Sequence, residues 1–445
     1  MSSFHEAASR DTVLFINGVR KQTFTALDTY ETRYGKKLRM LVFVDAKRNK
    51  LINSLNKQKQ VSNKKITVEA VDFDSPVALR KKLEKYRENL LAVTCQFENS
   101  IPYLEKIIPH LPYLDTPTQS SLEWSTDKIV MRQLLKTQDK TLIPKYTVIK
   151  DSSPESVLRV EKQVGYPVVV KPAGLAASLL VSVCYHREEL EDTLKKTFKT
   201  IEKVYKKKLG RGTPKILVEQ LMDGEMYSID VYVNGRGNTY ATPIVHVKTG
   251  RAIGFDDFFG YQRMTPTRLL KTHIEDANHA ASKAVKALGL RSTTAHVELM
   301  RTEKEWKIIE LAPRMGGFRH EMYQLSYGIN HILNDILVRV PQKPIIPKKT
   351  RGFTAVFNIY GKTEGVLGTI VGLKQTRLLA SYTSMEVNKV KGDELKFAKN
   401  GGSPVLEIIL FNKTRSDLLA DIRRMEKAIS IEVIKPIRRK NSSLA

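Results

Sequence analysis

TTAHVELMRTEKEWKIIELAPRMGG, residues 293–317, is the stretch on which the fold turns. Two apolar, alternating runs flank the polar Glu303-Lys304-Glu305, the pattern of a β-hairpin. With a three-residue tip, Thr302 faces Trp306, Met300 faces Ile308 and Glu298 faces Glu310. Facing residues hold their Cβ atoms about 4.5 to 5.5 Å apart. Two facing carboxylates in an otherwise apolar ribbon repel unless a cation lies between them. Mg²⁺ suits that place, because it takes one or two protein carboxylates together with phosphate oxygens. A register slipped by one residue leaves the competing reading, in which both glutamates sit on solvated faces and pair with lysines. Directly after Glu310 comes Pro313-Arg314-Met315-Gly316-Gly317. Arg314 suits a developing phosphoryl charge, and Gly316 and Gly317 allow backbone N–H groups to approach an oxyanion.

Working upstream, VVVKPAG (168–174) ends an apolar strand on Lys171. A buried ammonium needs a partner and a phosphate supplies one, unless the chain simply reaches solvent. In ILVEQLMDGEMYSIDVYV (216–233), Glu219 and Glu225 flank a turn at Asp223-Gly224. Carboxylates there suit an exocyclic amine and ribose hydroxyls, while the backbone between them serves a flat base. Lys128 lies in the helical DKIVMRQLL (127–135). The chain has no GxxxxGK[ST] loop and no kinase signature, so phosphates must be held by other means.

At 445 residues the chain exceeds one compact core, and two to four units are expected. TVLFING (12–18), LRMLVFVD (38–45), ITVEAVDFD (66–74) and LLAVTCQFEN (90–99) alternate with helical segments and predict a parallel α/β sheet. A single glycine after the first strand is no dinucleotide fingerprint. Residues from about 125 to 235 read as an α+β unit, followed by a long loop (248–270), a helix (273–289), the hairpin, and one helix over 319–338. PQKPIIPKK (341–349) reads as a linker, and short strands with the helix SDLLADIRRMEKAI follow from Phe353.

Lys and Arg number 74 against 47 Asp and Glu, a net charge of +27 that attracts polyanions. The densest clusters are Lys206 to Lys208 with Arg211, Lys348-Lys349 with Arg351, and the tail Lys435, Arg438, Arg439 and Lys440. No aromatic-rich nucleic-acid motif accompanies them, so the charge reads as solvated faces with non-specific nucleic-acid contact at most. No apolar run approaches the roughly 18 residues of a membrane span, and the N-terminus lacks an apolar signal core. Cys95 and Cys184 alone make neither a disulfide framework nor a zinc site, which points to a reducing cytosol.

Taken in order, the lysine of DKIVMRQLL, VVVKPAG with Ser178 shortly after, VEQLMDGEMYSIDV, HVELM and IIELAPRMGG resemble the ATP-grasp superfamily. Within it they look most like the amino-acid and dipeptide ligases, the carboxylate–amine ligase branch. The resemblance implies a Rossmann-like pre-ATP-grasp domain over 1–125 and an ATP lid over 126–220. It further implies a central catalytic domain over 221–340 and a small C-terminal α+β domain over 350–445. It makes Lys128 and Lys171 phosphate lysines, with Ser178 in the phosphate loop. Glu219 would accept from the adenine amine, the Leu221 or Met222 backbone would serve its ring, and Glu225 would bind ribose. Glu298 and Glu310 would hold Mg²⁺, with Mn²⁺ as a substitute, and Arg314 would stabilise the phosphoryl group. His246, Lys248, Arg251 and Arg263 are candidates for selecting a carboxylate substrate, and His296 for bordering the site.

Two departures stand out: Ala312 where the family often has a metal-binding asparagine, and LAAS where its phosphate loop is glycine-rich. The activity implied is ATP-dependent joining of a carboxylate to an amine through an acyl phosphate, on amino acids or short peptides, with a homodimer as one candidate assembly. The alternatives are a bicarbonate-using carboxylase or carbamoyl-phosphate-type enzyme, and a non-catalytic nucleotide- or polyanion-binding protein.

Overall fold

The computed structural model describes residues 10–61, 66–175, 178–208 and 214–434. Ala176 and Ala177 of the LAAS stretch, Arg211, the basic tail from 435 and the side chains of Lys206 to Lys208 lie outside the described residues.

Strands β1 (Thr12–Ile16), β2 (Arg39–Asp45), β3 (Ile66–Val71) and β4 (Leu90–Thr94) form a parallel sheet in the order β3-β2-β1-β4. All five residues of β1 are buried, as expected of a parallel strand covered on both faces. Glu98 follows the carboxyl end of β4, the edge where such sheets receive ligands.

β5 (Tyr146–Ile149), β6 (Val168–Pro172), β7 (Ser182–Cys184) and β8 (Ile216–Gln220) make an antiparallel sheet in the order β5-β8-β6-β7. Alternation decides its two faces. Val168, Val170, Ile216 and Val218 pack against the helices Pro154–Gln163 and Arg187–Lys208. Val169, Lys171, Leu217 and Glu219 are left to the opposite face, beside the helix Lys128–Gln138.

The third sheet has nine strands: β9 (Glu225–Val233), β10 (Thr239–Ala241), β11 (Val245–Thr249), β12 (Gly260–Thr265), β13 (Thr293–Arg301), β14 (Trp306–Ala312), β15 (Phe353–Ile359), and two more from the C-terminal segment. That segment contributes β16 (Gly365–Val371), β17 (Tyr382–Val387), β18 (Glu394–Leu395), β19 (Leu406–Asn412) and β20 (Ser430–Ile434). The main order is β14-β13-β9-β11-β12-β15-β19-β17, with β10 on β9, while β16, β18 and β20 form a small sheet. Thus the segment from Phe353, expected as a small C-terminal unit, continues the central sheet through the β12–β15 pairing. The expected long loop over 248–270 contains β12, and the expected helix over 319–338 is two, Arg319–Tyr327 and His331–Leu337. They break at Gly328, whose φ of 73° ends the first helix. Among the described residues, no helix is long and apolar enough to cross a membrane.

Candidate active site

Glu298 and Glu310 are register partners, although the hairpin closes differently from the expectation. The tip has four residues, with the Thr302 N–H donating to the Glu305 carbonyl at 3.0 Å. Near it, Arg301 therefore faces Trp306 and Met300 faces Lys307, rather than Ile308. A bulge beyond Leu299 absorbs Ile309 and restores the facing glutamates.

The helix Lys128–Gln138 begins where the Asp127 carboxylate accepts the N–H groups of Ile129 and Val130, at 2.8 and 3.2 Å. That cap sets Lys128 at the first turn, where its Nζ lies 2.8 Å from Glu310 and donates to the Leu175 carbonyl at 2.7 Å. Burial opposes the charge on Lys128, yet Glu310 outweighs it and holds the pKa above the ordinary lysine value.

Lys171 and Arg132 both pair with Glu219, and all three are buried. Burial works to raise the Glu219 pKa, but Arg132 and Lys171 overcome it and bring it down to about 2. Burial instead prevails at Lys171, whose pKa is lowered despite Glu219. Arg132 also donates to the Ile309 carbonyl at 2.6 Å, on the bulge of the hairpin. One arginine thus ties the second sheet to the metal-candidate ribbon.

After Glu219 the chain crosses between sheets. The Leu221 N–H donates to the Pro167 carbonyl at 3.0 Å, so it is not free to serve a base, whereas Leu221 and Met222 line a cavity of about 1030 Å³. Glu225 accepts from the Tyr227 hydroxyl at 2.7 Å and lies 3.7 Å from His246, whose ring packs 5.0 Å from that of Tyr227. Burial lowers the His246 pKa. Ser178 stands with a φ of 58° in a turn beyond Gly174.

Arg314 pairs with Glu98, Nε to Oε2 at 2.6 Å, and donates to the Met315 carbonyl. Burial opposes its charge, and Glu98 nevertheless raises its pKa. The Gly316 N–H donates to Asp230 at 2.8 Å, so it too is engaged, contrary to the oxyanion role expected of it. A side chain at Gly316 would meet His296 at 2.5 Å, whereas Gly317 has no neighbour within 4 Å of its Cβ position. His296 holds Asp230 at 2.6 Å and lies 3.6 Å from Glu298. Burial disfavours the imidazolium, but Asp230 more than compensates and raises the His296 pKa. Burial likewise pushes Glu298 up, yet His296, Arg263 and Arg314 bring it below the ordinary carboxylate value. Arg263 lies in β12, its Nη1 on the Gly260 carbonyl at 3.0 Å. Lys248 is exposed, and Arg251 donates to the Tyr185 hydroxyl at 2.7 Å.

An ATP-grasp domain model matches residues 164–321, from the end of the helix Pro154–Gln163 through β6 and the facing glutamates into the helix Arg319–Tyr327. Residues 164–321 carry an ATP-grasp domain. It is similar to an uncharacterized protein, y4rH, of Sinorhizobium fredii, 24% identical over 325 residues that cover 72% of this chain and 63% of that one. It is also similar to the D-alanine–D-alanine ligase of Bacillus velezensis, 30% identical over 193 residues, 40% of this chain and 49% of that one. The chain thus spans about half to just under two thirds of these relatives' length. In structure it resembles the L-amino acid ligase of Bacillus licheniformis, with a TM-score of 0.74, 18% identity and coverage of 96% of this chain and 100% of that one.

Within this ATP-grasp framework, several residues of the site escaped the sequence reading. Arg132 is one, although it shares the buried stripe of Lys128, Ile129 and Leu135. Asp230 is another, completely buried between His296 and His331, each at 2.6 Å. Ser228, Asp230 and Tyr232 alternate through an otherwise apolar strand, and that period-two polar row was the sign. Glu98 had none beyond its position after a parallel strand.

Proposed function

We propose that this protein is an ATP-dependent carboxylate–amine ligase that works through an acyl phosphate. The observation that carries the reading is the convergence of Lys128, Lys171 and Glu219 on a ribbon whose two glutamates face each other. Lys128 and Lys171, already paired with Glu310 and Glu219, hold nucleotide phosphates by charge. Glu219, the Leu221 carbonyl and the Met222 backbone receive the adenine, and Glu225 receives the ribose.

The donor set fits Mg²⁺. Two hard carboxylates face one another, Glu310 already draws a cation in Lys128, and phosphate oxygens and water complete the shell. Ala312 adds an apolar methyl where a third donor was expected, and among the described residues no cluster of three or more His, Cys, Asp or Glu forms a metal site. When bound, the ion withdraws charge from the phosphoryl oxygens. A substrate carboxylate attacks the γ-phosphoryl group, whose bond to the bridging oxygen breaks as ADP leaves, while Arg314, fixed by Glu98, stabilises the charge that develops. An amine then attacks the acyl carbon, an amide forms and phosphate leaves. The second sheet, as a lid, keeps water from the intermediate. We place the enzyme in a reducing cytoplasm, in keeping with Cys95 and Cys184, both free and buried.

The test is phosphate release from ATP with amino acids and short peptides, singly and in pairs, and mass spectrometry of the products. Amide product formed only with both substrates supports the ligase. Turnover with bicarbonate alone would favour a carboxylase, and nucleotide binding without turnover would leave only a binding protein. Glu310→Ala should lower turnover by about 100-fold or more, and full activity in that variant would remove the metal assignment.

A further inference from the structure

Arg263, Asn358 and Glu407 lie on three successive strands of the large sheet, β12, β15 and β19. Arg263 is the register partner of Val356, and Asn358 is the partner of Glu407. Val356 and Asn358 are two residues apart, so all three polar side chains share one face. Glu298 is on that face as well. It pairs with Ser228, Ser228 pairs with Val245, and Val247, two residues on, pairs with Arg263. The row therefore runs outward from the reaction centre as Glu298, Arg263, Asn358, Glu407.

None of the outer three is satisfied. The Arg263 guanidinium packs over the Phe318 ring at 5.7 Å and bonds the Gly260 carbonyl, with no ion pair among the described residues. The Asn358 Oδ1 is buried without a hydrogen-bond partner. Half-buried Glu407 has neither a hydrogen bond nor an ion pair among the described residues. Burial, then Arg319, pushes the Arg263 pKa down to about 10; burial, then Glu386, pushes Glu407 up, with Arg263 opposing. A cation and an anion that each lack a counter-ion thus stand with an orphan acceptor between them. Two strand spacings across the sheet and a two-residue offset along it set their Cβ atoms roughly 12 Å apart, a span that the two side chains and a small molecule between their charged ends can fill.

We propose that this row is the seat of a free α-amino acid, the acyl donor of the reaction. Arg263 takes its carboxylate on the side of Glu298, and Glu407 with the Asn358 amide oxygen takes its ammonium. The order of the row orients the molecule, with its reactive end toward the phosphoryl site and its amino group pointing away. A protonated amino group held at Glu407 is no nucleophile, so the acceptor amine comes from a second molecule. This inference rests on the ligase reading above.

The experiment uses the full chain with ATP, Mg²⁺, a fixed mixture of amine acceptors and matched donors: alanine against propanoate, phenylalanine against 3-phenylpropanoate. The wild type should prefer the amino acid by about 100-fold or more in kcat/KM, since the des-amino acid leaves Glu407 and Asn358 unpaired. Glu407→Gln should cut that preference at least tenfold, and Asn358→Leu, which removes the orphan oxygen without leaving a buried polar atom, should cut it severalfold. Unchanged preference in both variants overturns the seat while leaving the ligase standing. If no donor elicits phosphate release, the ligase reading fails, and calorimetry decides the seat separately. The wild type, loaded with a non-hydrolysable ATP analogue, should bind phenylalanine but not 3-phenylpropanoate, and Glu407→Gln should not bind it. Equal binding of both compounds, or of neither, counts against the proposal.

Discussion

Arg132 shows how one buried side chain ties the site together. It completes the ion pairs of Glu219 and reaches the Ile309 carbonyl, so it links the second sheet, the helix Lys128–Gln138 and the hairpin. Arg132→Met keeps the length of the side chain but leaves Glu219 with Lys171 alone. Breaking a buried pair from one side costs about 3–5 kcal/mol, a loss to be read from urea unfolding at pH 7. The same variant should have a distinct pH dependence. Glu219 is held at about 2, below its ordinary 4.5, so its ionic contribution is present above pH 4.5 and fades as the pH falls toward 2. The gap in stability between wild type and variant should therefore narrow across that window. A gap of constant size would mean that Arg132 acts by packing. Lys128, Lys171 and Glu219 were legible as candidates because each interrupts or ends an apolar pattern. Arg132 was not, since an arginine in an amphipathic helix has the same sequence signature whether its stripe faces solvent or a carboxylate.

At the scale of elements, the hairpin was legible in its pairing and illegible in its tip. Alternation fixed which glutamates share a face, whereas the four-residue tip and the compensating bulge depend on Thr302, whose hydroxyl accepts from the Glu305 N–H at 3.1 Å and donates to its carbonyl. No periodicity records such an offset. Contacts between the second sheet and the C-terminal segment were equally hidden, because they join turns distant in sequence. The Leu180 N–H, just past Ser178, donates to the Lys399 carbonyl at 2.9 Å, and the Lys399 N–H donates to buried Asp257 at 3.0 Å. Lys399 also pairs with Asp256, and Arg251 with Tyr185. Asp257 thus positions the turn on which Leu180, just past the proposed phosphate loop, leans. Asp257→Ala should loosen that support, raise the KM for ATP about fivefold and increase phosphate released per amide formed, as water reaches the acyl phosphate. The ratio of phosphate to product measures the effect, and a ratio equal to the wild type's would show that the turn is incidental to closure.

For the molecule as a whole, most of the order of strands and helices was readable, but outside the hairpin the partners of the later strands were not. The sequence after PQKPIIPKK looked like a separate unit because a proline-rich linker precedes it, yet β15 pairs with β12 over four residues and brings β19 and β17 into the central sheet. A mixed core crosses the seam, with Val356 and Ile409 packed on Val245, Met322 and Tyr323. Polar bonds cross it too: the Arg351 N–H donates to the Ser326 carbonyl at 2.7 Å, and Ser326 and Thr354 share a hydroxyl bond at 2.7 Å. A chain ending at residue 349 would expose the whole ladder edge of β12 and the apolar side chains beneath it, the kind of open edge that seeds aggregation. Burying a valine or isoleucine contributes about 1.5–3 kcal/mol each, so losing Val356 and Ile409 alone removes a large part of an ordinary domain's stability. The truncated protein should therefore be insoluble, or unfold without a cooperative transition, in size-exclusion chromatography and circular dichroism. A soluble, cooperatively folding 1–349 fragment that still binds ATP would show instead that the central sheet is self-sufficient at β12. In that event Glu407, too, could be removed without harm to the nucleotide site, and the amino-acid seat would be a separable addition to it.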